Sequence, residues 1–352
     1  MHRERVSDNV YWFQSELYAQ VTSGVVAGPH WAVVIDTLAM PEETVSIREF
    51  IEHELQLPVR YVINTHYHSD HSWGNCFFPS ATVIAHSNCR KLMLERGVPA
   101  LEKVKKQNPD FRQTRIVLPH ISFSEGTIKL RVGKKHLAIS PSIGHSPDGI
   151  MVFIEEDRVL FAGDSFMPIP YVVDGNIDDI TESITRMGEM SLENIIQGHG
   201  EVILRGEIES AIRENLEYLA NIRKVAKIAA RRREPQEYMD SQSIEDCGKS
   251  RVSLGGLAVQ LHRNNLQFLY QPARDIYLEE REKKRTEREK AKAKATPKSK
   301  SKVKPKKKMK VRAKPGPKPK VKPKTKSKAK SKSRVKPKTG KKTTRKKVNR
   351  SY

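Results

Sequence analysis

Residues 59–71 read VRYVINTHYHSDH: a strand of buried type runs without a break into four metal-ligand side chains, His66, His68, Asp70 and His71. Five of the first seven residues are β-branched or aromatic, as in a core strand, so the fold has to bring that strand's end to a site. In an extended chain, residues i and i+2 point the same way, so His66 and His68 can reach one ion. Asp70 and His71 follow once the chain turns and can face a second ion beside the first. Imidazole and carboxylate suit a borderline metal such as zinc. Two ions roughly 3.5–4 Å apart can share a hydroxide and clamp both the attacking and the leaving oxygen.

One segment cannot supply two ions. Further donors stand at the ends of other apolar runs: His145 in SIGHSPDG, Asp164 in LFAGDSF and His199 in IIQGHGEV, the last between two glycines. Strand ends that pass into loops are where sites are usually built. His2, His30, His53, His120, His136 and His262 lack such a setting and are read as surface or satisfied core residues, with His86 at a strand end as a weaker candidate.

Periodicity places these donors in an α+β chain. VYWFQSE, HWAVVIDT, VRYVINT and TVIAH read as strands, with a helix from Pro41 through PEETVSIREFIEHELQ carrying Val45, Ile47, Phe50, Ile51 and Leu55 on one stripe. A second set of strands follows: RIVLPHISF, TIKLRV, HLAISPSI, MVFIEE and RVLFAGD. Helices are expected over about 88–107, 178–190, 206–233 and 252–270. Two mixed sheets facing each other with helices outside account for this order.

The combination THYHSDH, GHSPD, AGD and GHG resembles the metallo-β-lactamase superfamily over roughly residues 8–270. The resemblance implies a four-layer αββα sandwich with C-terminal helices. It also implies that His66, His68 and His145 hold one divalent ion, that Asp70, His71 and His199 hold another, and that Asp164 bridges them. Asp36 of VIDT would support the site from behind. Asp70 would act in catalysis by orienting the attacking hydroxide. Asp164 separates the chain from true β-lactamases and aligns it with glyoxalase II-like thioesterases and with phosphodiesterase-like members. His68 separates it from flavodiiron-type members, and His68-Ser69-Asp70-His71 from the HGDH of RNase Z-like members. The implied function is hydrolysis of a small-molecule ester, thioester or lactone by two ions, zinc first, with manganese or iron as alternatives. A nuclease or phosphodiesterase, a nucleic-acid-tethered protein, and a one-iron oxygenase of persulfide dioxygenase type remain as alternatives.

Charge divides the chain. Residues 281–352 hold 35 Lys+Arg against three acidic residues, a net +32, while residues 1–280 carry −8. After Pro297 the text is Lys, Pro, Ser, Thr and Ala, too poor in apolar residues to offset chain entropy. Residues 1–205 are thus expected to form the catalytic domain, 206–280 a helical extension packed on it, and 281–352 a disordered basic tail. EKKRTEREKAKAKA, at the start of that tail, could continue a charged helix. The tail resembles those of linker histones and suits non-specific DNA or RNA binding through phosphate contacts. Cys76, Cys89 and Cys247 form no CxxC pair and fit a reducing compartment. With no apolar leader and no run of 18 apolar residues, the expected location is the cytoplasm, with nucleoid association through the tail. Oligomeric state has no sequence signal.

Overall fold

The computed structural model of the chain describes residues 1–295. The first half forms one sheet of seven strands in sequential order: β1 (His2–Ser7), β2 (Val10–Gln14), β3 (Thr22–Ala27), β4 (Ala32–Ile35), β5 (Val59–Ile63), β6 (Thr82–His86) and β7 (Ile121–Phe123). Charged β1 is exposed at one edge, which discourages edge-to-edge pairing. The first four strands are antiparallel. β4 to β7 run parallel, joined by crossovers that hold α1 (Pro41–Glu49), α2 (Ser69–Ser72), α3 (Ser87–Leu92) and α4 (Val98–Lys105).

The second sheet orders its six strands β13-β12-β11-β10-β9-β8. They are β8 (Ile128–Val132), β9 (Lys135–Pro141), β10 (Ile150–Ile154), β11 (Val159–Gly163), β12 (Asn194–Gln197) and β13 (Val202–Leu204). β10 is antiparallel to both β9 and β11, and β11 is parallel to β12. β9, β11 and β12 therefore all finish at the same edge. α5 (Ile177–Glu189), α6 (Arg205–Ala229), α7 (Pro235–Asp240) and α8 (Ala258–Ala295) complete the chain.

Three apolar layers hold the four structural layers together. Val33, Ile35, Ile63 and Ile84 of the first sheet meet Leu137, Ile139, Val152 and Phe161 of the second. The first sheet's other face packs Val25, Val34 and Val62 on Ile47 of α1 and on Phe50 and Ile51 just beyond it. The second sheet's other face packs Leu160 and Ile195 on Ile180 and Ile184 of α5, Leu219 and Ile222 of α6, and Leu266 of α8. This is the αββα sandwich with C-terminal helices.

Several local expectations need correction. RIVLPHISF is a strand only over Ile121–Phe123; Pro119 offers no N–H to a ladder. Gly24, a residue type that ordinarily marks a strand's end, lies within β3, where a side chain would collide with the Phe161 ring from the facing sheet. The 252–270 helix starts later, at Ala258, and continues to Ala295. Residues 281–295 are thus helical rather than part of a disordered tail, as the charged text EKKRTEREKAKAKA allowed. The rest of the basic tail, 296–352, lies outside the described residues.

Candidate metal centre

Strand direction explains why seven distant donors meet. β4 and β5 are parallel, so Asp36 and the THYHSDH segment leave the first sheet at one edge. β9, β11 and β12 deliver His145, Asp164 and His199 to the matching edge of the second. The two edges are tied by backbone contacts: Ile150 N–H donates to Thr65 O at 2.8 Å, and Thr22 N–H to Gly198 O at 2.8 Å.

The donors fall into two groups, His66–His68–His145–Asp164 and Asp70–His71–His199, each with its ligand atoms within 4.8 Å of one another. In the first, His66 Nε2 and His145 Nε2 stand 2.9 Å and 3.1 Å from His68 Nδ1. Asp164 lies between the groups. Its Oδ2 is 3.2 Å from His145 Nε2 and 3.5 Å from His199 Nε2, and its Oδ1 is 3.2 Å from His71 Nε2. Asp70 Oδ2 is 3.4 Å from His199 Nε2. All seven residues predicted from the sequence come together. His86 does not join them: its ring accepts from Asn88 N–H and faces Ser124 O.

What the histidines do on their outer side decides what they offer inside. His145 Nδ1 donates to Tyr171 O at 2.8 Å and His199 Nδ1 to Ala19 O at 2.8 Å. A carbonyl can only accept, so those nitrogens carry the proton and each Nε2 keeps a lone pair facing inward. His71 Nδ1 donates to Asp36 Oδ2 at 2.9 Å, and His68 Nε2 to Asp174 Oδ2 at 3.3 Å. Thr65 Oγ1 gives its proton to Asp36 Oδ2, leaving its oxygen to accept from His66 Nδ1 at 3.1 Å. Five imidazoles therefore aim their other ring nitrogen toward one small volume. Outer partners of this kind fix the tautomer of metal-bound histidines.

The electrostatics agree with a cation site. Burial pulls His66 well below the ordinary imidazole range and takes His145 down to about 4, so both favour the neutral form. Burial opposes charge on His71 too, but Asp164, Asp36 and Asp70 outweigh it and raise that residue well above its usual value. Burial likewise works against ionised Asp164, and His199, His71 and His145 reverse it. Three carboxylates thus hold a proton on His71 that a divalent cation would displace. His71 Nε2 and Asp164 Oδ1 are buried without a hydrogen-bond partner. Ordinary folding penalises such atoms, and a metal ion would satisfy both. The donor set fits divalent metals.

Of these outer partners, Asp36 is marked by the sequence; Thr65, Tyr171, Asp174 and Ala19 are not. Asp174 is a lone acid in YVVDGN. It accepts from Tyr67 OH at 2.7 Å and from Arg96 as well as from His68. Ala19 and Tyr171 act through carbonyl oxygens, which carry no residue signature. Cys76, Cys89 and Cys247 are free and buried. Among the described residues no helix is long and apolar enough to cross a membrane.

Comparison with known proteins gives this arrangement a family. The model of the metallo-beta-lactamase superfamily matches residues 18–211, more than half of the chain. A thioesterase, pkgB, of Emericella nidulans is 27% identical over 49% of this chain and 43% of its own. The lactamase-like protein aptB of the same organism is 27% identical over 49% of this chain and 48% of its own. The chain therefore spans less than half the length of these relatives. A metallo-beta-lactamase from Pontibacter korlensis superposes with a TM-score of 0.52 at 19% identity, over 62% of this chain and 99% of that one. The sec-alkylsulfatase Pisa1 from Pseudomonas sp. reaches 0.58 at 14% identity, over 77% of this chain and 50% of that one. Fold, donor arrangement and family match agree: the chain belongs to the metallo-β-lactamase superfamily.

Proposed function

We propose that this protein is a hydrolase that uses two divalent metal ions to cleave a small ester, thioester or lactone. The observation that carries the reading is Asp164, whose two oxygens face both donor groups at 3.2 Å. His66, His68 and His145 would hold one ion, Asp70, His71 and His199 the other, and Asp164 both. When bound, such ions supply water with a pKa near about 7 and positive charge for a developing oxyanion. Zinc suits the nitrogen-rich donors best, and manganese or iron could use the same set.

The chain's own residues divide the remaining work. The Asp70 and His68 side chains are the more open members of the cluster, 13% and 23% exposed, against 0–7% for the rest. Substrate would approach from that side. Asp70 can accept a hydrogen bond from attacking water and orient it. Asp36, Asp174, Tyr171 O and Ala19 O keep the imidazoles aimed. The relative named a thioesterase supports testing a thioester first.

The test is metal analysis of the purified chain, followed by turnover of an acyl thioester, a lactone, a bis-aryl phosphodiester and single-stranded RNA. Two ions per chain and hydrolysis of the thioester or lactone support the reading. A single iron with oxygen uptake, or turnover of RNA alone, would replace it. A second reading concerns the tail. With a net +32 over residues 281–352, we propose that it tethers the protein to DNA or RNA through phosphate contacts without reading sequence, and so keeps it in the cytoplasm near nucleic acid.

A further inference from the structure

We propose that Asn264 and Asn265, consecutive residues of α8, are positioning residues for the metal centre: they clamp Tyr171, and Tyr171 holds His145 with Nε2 facing inward. The inference rests on the metal reading above. It concerns a helix that lies beyond the stretch matched by the family model.

The clamp closes on Tyr171 from both ends. Asn265 is fully buried. Its Oδ1 accepts from Val172 N–H at 3.0 Å, and its Nδ2 donates to Pro170 O at 2.8 Å. One amide therefore grips the backbone on either side of Tyr171. The neighbouring Asn264 donates from Nδ2 to the Tyr171 hydroxyl at 3.2 Å. Between these fixed points the Tyr171 carbonyl accepts from His145 Nδ1 at 2.8 Å, and the two rings lie 6.1 Å apart.

Asn265 is itself anchored. Its Nδ2 also donates to the Tyr218 hydroxyl at 3.2 Å. That hydroxyl donates to His262 Nδ1 at 3.2 Å, a nitrogen left free to accept because His262 Nε2 donates to Gln242 O. From α6, Asn215 donates to Met167 O at 3.1 Å and pins the same connection earlier. In Asn265, Tyr218 and His262 every side-chain polar atom is paired, and a buried network of that kind specifies one arrangement. This one ends at a carbonyl that selects the tautomer of a metal-facing imidazole. A scaffold helix whose only role was burial would not need an asparagine at 265; leucine or alanine would serve.

The experiment uses the full chain, with zinc as the probe, and the variants Asn265→Ala, Asn264→Ala and Tyr171→Phe. Zinc affinity is measured by competition with a chromophoric chelator, and the His145 tautomer by long-range 1H–15N correlation of the imidazole. Asn265→Ala should weaken one of two zinc sites roughly tenfold to hundredfold, the range for loss of a ligand's outer support. It should also lose the pure Nδ1–H signal of His145. Asn264→Ala and Tyr171→Phe should each have a smaller effect and should not add, since they remove the same bond. Folded Asn265→Ala with unchanged zinc affinity and unchanged tautomer overturns the clamp. If that variant does not fold, unchanged affinity and tautomer in both milder variants overturn it. A wild-type chain that binds no zinc, manganese or iron overturns the metal reading instead, and the tautomer measurement then decides the clamp.

Discussion

Gly198 packs directly against Asp164: a Cβ at position 198 would overlap Oδ1 of that aspartate and crowd its backbone N. The residue before His199 therefore has to be glycine for Asp164 to stand between the two donor groups. Gly198→Ala should displace the carboxylate while leaving all seven donors in the chain. The expected result is fewer than two zinc ions per chain and a kcat/KM lowered about hundredfold, as for displacement of a reacting group by an ångström. Two retained ions with normal turnover would count against the bridging role.

Metal removal should loosen the fold as well as stop turnover. Seven donors from two sheets, two carboxylates and five imidazoles, crowd one buried edge, an arrangement that a bound cation stabilises. An ion present at a hundred times its Kd adds about 2.7 kcal/mol to stability. Unfolding followed in denaturant with and without a strong chelator checks this; coincident curves would show that no resident ion had been removed.

His262 should make stability depend on pH. Burial lowers its pKa below 6.5, opposed in part by its bond to the Gln242 carbonyl. The unfolded chain takes up a proton near pH 6.5 and the folded chain only at lower pH. Stability from this residue is therefore complete above about pH 6.5 and falls as the pH drops below it, with a slope of at most about 1.4 kcal/mol per unit for one proton. In zinc-saturated protein, His262→Gln should flatten that part of the curve relative to wild type between pH 7 and 5. Parallel curves would exclude the residue.

Truncation after residue 280 should leave small-molecule turnover unchanged and remove nucleic-acid binding. A tail making six to ten phosphate contacts would lose about a thousandfold to a hundred-thousandfold in affinity between 50 and 200 mM salt. Electrophoretic mobility shifts on duplex DNA and single-stranded RNA at the two salt concentrations distinguish this from salt-insensitive binding by the folded part.

The seven donors were legible in the text because each has a titratable side chain at the end of an apolar run. Strands can meet at a sheet edge only through such ends. Alternating and continuous apolar runs likewise announced most strands and helices. β3 escaped because Gly24 reads as a turn, and its reason for being glycine is Phe161, more than a hundred positions away. Four of the five partners that aim the imidazoles, all but Asp36, escaped because what they do is set by the tertiary contact. His199 finds Ala19 across 180 residues and His68 finds Asp174 across 106. Two of the five partners are backbone carbonyls, which every residue possesses. Local pattern could therefore reveal which side chains have metal chemistry. Only the packing of two sheets and the C-terminal helices could choose the tautomers, join the donor groups through Asp164, and bring α8 to bear on His145, because those relations depend on distances that no stretch of chain contains.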